Sequence, residues 1–189
     1  MIDSAVNYLA SQLNQHLRRR FELSEDIVIV SNVLELDGTI APHVNNKMLV
    51  FLVGLEKDTV PYQKGASAAV SERNVLAHPP VFLNLNLMFA GSFAGSNYSE
   101  ALKFVSNTVS FFQSLPVFNR ENSPDLDEKI DKLTLEIVNL DARDLSSLWG
   151  MLGGRYLPSV LYKVRMVSYA EGIKGQVGTF NAPSTSLNQ

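Results

Sequence analysis

The stretch LNLNLMFAGSFAGSNYSE, residues 83–100, alternates apolar and polar letters, breaks at two glycines and then takes up a helical rhythm. Alternation puts Leu83, Leu85, Leu87 and Phe89 on one side of a strand, and Asn84, Asn86 and Met88 on the other. Pro79 and Pro80 come before the ladder, where a missing N–H does least harm. Beyond the glycines, Asn97 and Glu100 stand at capping-box spacing. Tyr98, Ala101, Leu102, Val105, Val109 and Phe112 then form one apolar stripe, widened by Phe104, Phe111 and Leu115 and ended by Pro116. A strand entering a helix through glycines is also how phosphate-binding loops are built, so this turn has to be tested as chemistry as well as geometry.

Upstream, Ile2, Val6, Leu9, Leu13 and Leu17 recur at steps of three and four, which predicts an amphipathic helix over the first twenty residues. It ends in HLRRR, where cations suit the negative end of the helix dipole. IVIV at 27–30 and KMLVFLVGLE at 47–56 read as strands covered on both faces in the middle of a sheet, with LDGT at 36–39 a turn between them. Residues 57–74 follow neither period and predict a long, functional or mobile loop.

Downstream, LTLEIV from Leu133 alternates as a half-buried strand. DARDLSSLWGMLGG is a complete short helix: acids Asp141 and Asp144 at its start, Leu145, Leu148, Trp149 and Leu152 on one face, and Gly153–Gly154 as the stop. At that spacing Trp149 reads as core. In VLYKVRMVSY, Tyr162, Val164 and Met166 alternate with Lys163 and Arg165, giving one apolar and one basic face. Residues 171–189, rich in Gly, Ser and Pro, predict an arm that is flexible or ordered by a partner, anchored at most by Ile173, Val177 and Phe180, after a single domain over residues 1–170. The order of elements fits an α+β fold, a mixed and mostly antiparallel sheet flanked by helices, better than a doubly wound parallel one.

Composition closes off several chemistries. With no cysteine there is neither a disulfide framework nor a thiolate, and His16, His43 and His78 lack ligand spacing. A formal charge of −3 gives no global pull toward nucleic acid or an anionic membrane. The polar N-terminus has no secretory pattern, and MLVFLV is too short to span a bilayer, so the chain is expected to be made as a soluble cytoplasmic protein. The Gly91–Gly95 turn lacks the lysine of a Walker loop and the triple glycine of a dinucleotide fingerprint. G-x-S-x-G is absent, and the acids Asp125, Asp127, Glu128 and Asp131 do not form a calcium loop. No metal, cofactor or catalytic set emerges.

Three segments in order do resemble a known family: HPPVFLNLNLMF leading to a helix that ends SFFQSLPVF, then LTLEIVNLDARDLSSLWGMLGG, then LPSVLYKVRMV. Over about residues 1–170 the chain is similar to the tube-terminating cap proteins (tail terminators) of phage-tail-like contractile injection systems of bacteria. The most specific pieces are Pro79, Pro80 and Leu83–Leu85, then Leu145, Leu148, Trp149 and Gly153, then Tyr162, Val164 and Arg165. The resemblance implies a tail-terminator-like fold and a hexameric ring on the last layer of the inner tube, in contact with the sheath end. It implies no catalytic residues, cofactor, nucleic acid or membrane. It also implies assembly at the distal, non-baseplate end of a particle of a kind that can be released extracellularly. Many relatives are longer at the C-terminus.

The non-core residues available for such contacts are Arg18, Arg19 and Arg20, Lys163 and Arg165, and Phe180. Two other readings stay open: a small-ligand or anion-binding enzyme domain using the Gly91–Asn97 turn, and nucleic-acid binding through Arg18–Arg20.

Overall fold

The computed structural model of this 189-residue chain describes residues 1–59 and 80–168. The elements are α1 (Ile2–Phe21), β1 (Val28–Val30), β2 (Lys47–Lys57), β3 (Val81–Ser92), α2 (Tyr98–Ser114), β4 (Val117–Asn119), β5 (Ile130–Ile137), α3 (Ala142–Met151) and β6 (Ser159–Ser168). The strands form one mixed sheet in the order β1-β2-β3-β6-β5-β4, with β1 parallel to β2 and every other pair antiparallel. This is the expected α+β class.

Strand β3 occupies the interior of the sheet, paired with β2 on one side and β6 on the other. Its alternation is realised: Leu85, Leu87 and Phe89 are buried toward α1 and α2, whereas Met88 and Ala90 are buried toward α3 on the opposite face. On the helix side, α1 contributes Val6, Leu9, Leu13 and Leu17, each fully or almost fully buried. Burying one such side chain is worth roughly 1.5–3 kcal/mol. Phe89, Phe112 and Tyr162 form an aromatic knot, with centroids 5.1–5.6 Å apart. On the other face, Trp149 is buried with Leu148, Val33, Val44, Leu49 and Phe51, so it is core as its helical spacing predicts.

The two long helices run antiparallel, His16 stacking on Phe111 at 4.7 Å and Phe21 meeting Phe104 edge-on at 5.3 Å. They cross the sheet obliquely. Near its start α1 reaches β6 and β4, where Ser168 Oγ donates to Met1 Sδ at 2.9 Å and Tyr8 packs edge-on against Phe118. Two turns further on, buried Asn14 serves β1: its Oδ1 accepts the backbone N–H groups of Ile27 (2.9 Å) and Val28 (3.1 Å). Helix α2 starts over the end of β3 and leaves through Pro116 into β4.

Three local readings are corrected. IVIV is not mid-sheet: β1 is a three-residue edge strand in which Val28 is buried and Val30 exposed. The Asn97 side chain makes no capping hydrogen bond, because a single 3-10 turn, Gly95–Asn97, precedes α2; its Nδ2 lies 3.5 Å from Asn46 Oδ1 instead. The buried face of α2 is Ala101, Phe104, Thr108 and Phe112, one notch round from the predicted stripe, so Tyr98 and Leu102 are exposed. Thr108 enters this core because its hydroxyl donates to the Phe104 carbonyl at 2.9 Å. Beyond these, the short strand β4 follows directly on Pro116.

The other local devices form as read. Asp141 caps α3, its Oδ1 accepting from the N–H groups of Arg143 and Asp144, both at 2.8 Å. Gly153 and Gly154 take φ of +93° and +72°, a left-handed stop. Gly38 in the LDGT turn has φ +81°. Most of the 57–74 loop and the whole 171–189 arm lie outside the described residues.

Candidate assembly surface

Lys163 and Arg165 point away from α1 and α2, in two cross-strand rows. One row is Glu56, Asn84, Arg165 and Thr134; the next is Gly54, Asn86, Lys163 and Glu136. The face that looks basic along β6 alone is therefore charge-alternating across the sheet. Asn86 Nδ2 donates to Glu56 Oε1 at 3.1 Å, and Glu136 is the register partner of Lys163. Arg165 is committed within the chain, since its Nε and Nη2 contact Asp58 Oδ2 at 3.0 and 2.9 Å. Asn84 Oδ1 is buried without a partner among the described residues.

Arg18 is likewise engaged. It pairs with Asp26 at 3.2 Å and reaches the carbonyls of Leu23 and Ser24, fastening the end of α1 to the following turn. Arg19 and Arg20 are exposed. His16 is held below its usual pKa by burial, with the Arg20 charge adding to the effect. Because α1 lies on one face of the sheet and Lys163 with Arg165 on the other, the described members of the predicted interface set do not converge into one patch. Phe180 lies outside the described residues.

The Gly91–Asn97 turn is explained by packing. A Cβ on Gly91 would sit 3.0 Å from Ala101 Cβ and 3.3 Å from its Cα, so the glycine lets α2 begin close against β3. Gly95 has open space around it and no left-handed backbone. Beside the turn is a cavity of about 310 Å³ whose walls include Ile40, Asn45, Phe93 and Tyr156, with Arg155 as its charged group. Among the described residues, no cluster of His, Asp and Glu is placed to hold a metal, and no helix is long and apolar enough to cross a membrane.

Sequence reasoning missed the exposed apolar side chains. One group is Leu36, Ile40, Met151 and Tyr156, near the end of α3. The other lies around the helix layer: Leu52 and Leu55 on β2, Tyr98 and Leu102 on α2, and Ile137 on β5. The legible signal for the second group was the head of the predicted stripe, Tyr98 and Leu102, which the fold of one chain leaves exposed while Val105 further along is partly buried against the core.

Apolar side chains left exposed on α2 and at both sheet edges are what a surface that meets another protein looks like. The model of the Pvc16 N-terminal domain matches residues 5–179. The chain belongs to the Pvc16 N-terminal domain family. Two solved structures share its fold. The sheath/tube terminator of PVC, an extracellular contractile injection system, in its extended state, is 20% identical, with a TM-score of 0.56 over 100% of this chain and 64% of that one. The cap of the anti-feeding prophage (AFP tube-terminating cap) is 15% identical, with a TM-score of 0.51 over 100% of this chain and 60% of that one. This Pvc16 N-terminal domain thus spans less than two thirds of either chain. Comparison with curated proteins gives no match.

Proposed function

We propose that this domain is a structural cap that terminates the inner tube and anchors the sheath end of a contractile injection particle. The observation that carries the reading is the family match over residues 5–179, supported by a fold shared along the whole chain with two terminators. Its role is assembly, not catalysis. Its partners in this reading are the tube protein, the sheath protein and further copies of itself, closed into a hexameric ring at the distal, non-baseplate end of the particle. A closed ring needs head-to-tail contacts between unlike surfaces. Residues 1–170 form the cap domain in this reading, and 171–189 an arm that is flexible or ordered by a partner.

Electron microscopy of particles assembled without this protein tests the proposal. Irregular or unfinished tube and sheath lengths are expected; particles of normal, uniform length would overturn it.

A further inference from the structure

The antiparallel pair α1/α2 lies obliquely on the sheet and leaves two opposite corners of that face bare. At one corner, β1 flanks β2 only at Met48–Val50, so among the described residues no strand borders β2 from Leu52 to Lys57. Leu52 and Leu55, on the helix side there, are 43% and 48% exposed. At the other corner, β4 flanks β5 only at Lys132–Thr134, and Ile137 is 46% exposed.

Helix α2 adds to this second corner. Phe104 and Phe111 face α1, and at 100° per residue the stripe from Tyr98 through Leu102 points to the far side of α2, over the β5 half of the sheet. Tyr98 and Leu102 are 51% and 45% exposed.

The two corners are in register. Leu52, Leu87, Tyr162 and Ile137 form one row across β2, β3, β6 and β5, with the inner pair buried and the outer pair bare. The bare ends carry the same chemistry on the same face, at opposite edges of the sheet. A neighbour in the same orientation would therefore continue the row, placing its Leu52 beside Ile137.

We propose that copies of this chain join head to tail, the α2/β5 corner of one copy covering Leu52 and Leu55 at the open edge of β2 in the next. The contact rests on the reading of this domain as a multi-copy cap and assigns the surfaces that close it. It buries apolar area that a single copy leaves in water. It also joins unlike surfaces, which is what a ring requires.

The chain has no cysteine, so Leu52→Cys and Ile137→Cys introduce thiols only where they are wanted. With a short bismaleimide, the double variant should give a ladder of covalent multimers. Mixing the two single variants should give dimers, and either one alone only monomers. In a second measurement, Tyr98→Lys with Leu102→Lys should raise the dissociation midpoint of the multimer at least tenfold in mass photometry, with an unchanged circular dichroism spectrum.

Dimers from Leu52→Cys alone would overturn the proposal in favour of a two-fold contact. Absence of a ladder would also overturn it, whether the protein is monomeric or multimeric. Irregular particle lengths without the protein would still uphold the cap reading after such a failure, so the two ideas fall separately.

Discussion

Arg165 holds Asp58 across strand β3, its Nε and Nη2 3.0 and 2.9 Å from a single carboxylate oxygen. The Asp58 side chain is only 7% exposed. Arg165→Ala removes these two charge-assisted contacts, at an expected cost of about 2 kcal/mol. Arg165→Lys keeps the charge but loses the fork and should fall between the two. Urea midpoints measure both, and an unchanged midpoint for Arg165→Ala would show that the pair contributes nothing to folding.

Asn14 does for β1 what a missing neighbouring strand would otherwise do. Asn14→Leu removes the acceptor for two backbone N–H groups and should cost roughly 1–3 kcal/mol. Hydrogen exchange localises the effect: Ile27 and Val28 should lose protection more than the β3 amides do.

The two glycines after β3 should behave oppositely. Gly91→Val drives a side chain into Ala101 and should cost about 1–3 kcal/mol. Gly95→Ala meets nothing within 4 Å and should be neutral or stabilise by up to about 1 kcal/mol. For a chain of this size each kcal/mol shifts Tm by roughly 2–4 °C, so a thermal melt separates them.

Tyr162 supplies a pH test. Burial pushes its phenol up from 10.0 to about 12, and its hydroxyl has no partner among the described residues. The neutral form is favoured in the fold, so this contribution is complete below pH 10. It declines as pH rises toward 12, because the unfolded chain releases the proton first. The decline amounts to roughly 2–3 kcal/mol across the window. Tyr162→Phe should remove that part of the alkaline slope and be neutral or slightly stabilising at pH 7. Urea titrations of both proteins at pH 7 and 11 check the sign.

Where a local rule and the tertiary packing agree, the sequence was enough. Alternation through Leu85, Leu87 and Phe89 marked a strand and its two faces, and the pairing of both neighbours along nearly its full length keeps that alternation intact. Asp141 and Gly153 bounded α3 because cap chemistry acts within a turn. Asn14 and Thr108 could not be read in this way, since each is a polar residue made compatible with burial by its hydrogen bonds: Asn14 accepts two backbone N–H groups that only the fold brings to it, and Thr108 donates within its own helix. The assembly surface was less legible still. Charge along β6 suggested Lys163 and Arg165, but the residues that answer them lie elsewhere in the chain, Glu136 on β5 and Asp58 just after β2. The stripe Tyr98–Leu102 was visible, yet its period matches that of a core face, and which side of α2 is covered depends on where α1 lies.

Strand β6, the last of the described elements, is inserted between β3 and β5. During synthesis the sheet therefore waits as two fragments, β1-β2-β3 and β4-β5, until Ser168 has left the ribosome. A chain interrupted before that point exposes two interior strand edges and the apolar residues that Tyr162, Val164 and Met166 would cover. Because Tyr162 is itself part of the row that ends in Leu52 and Ile137, synthesis through β6 is a precondition for aligning the two corners.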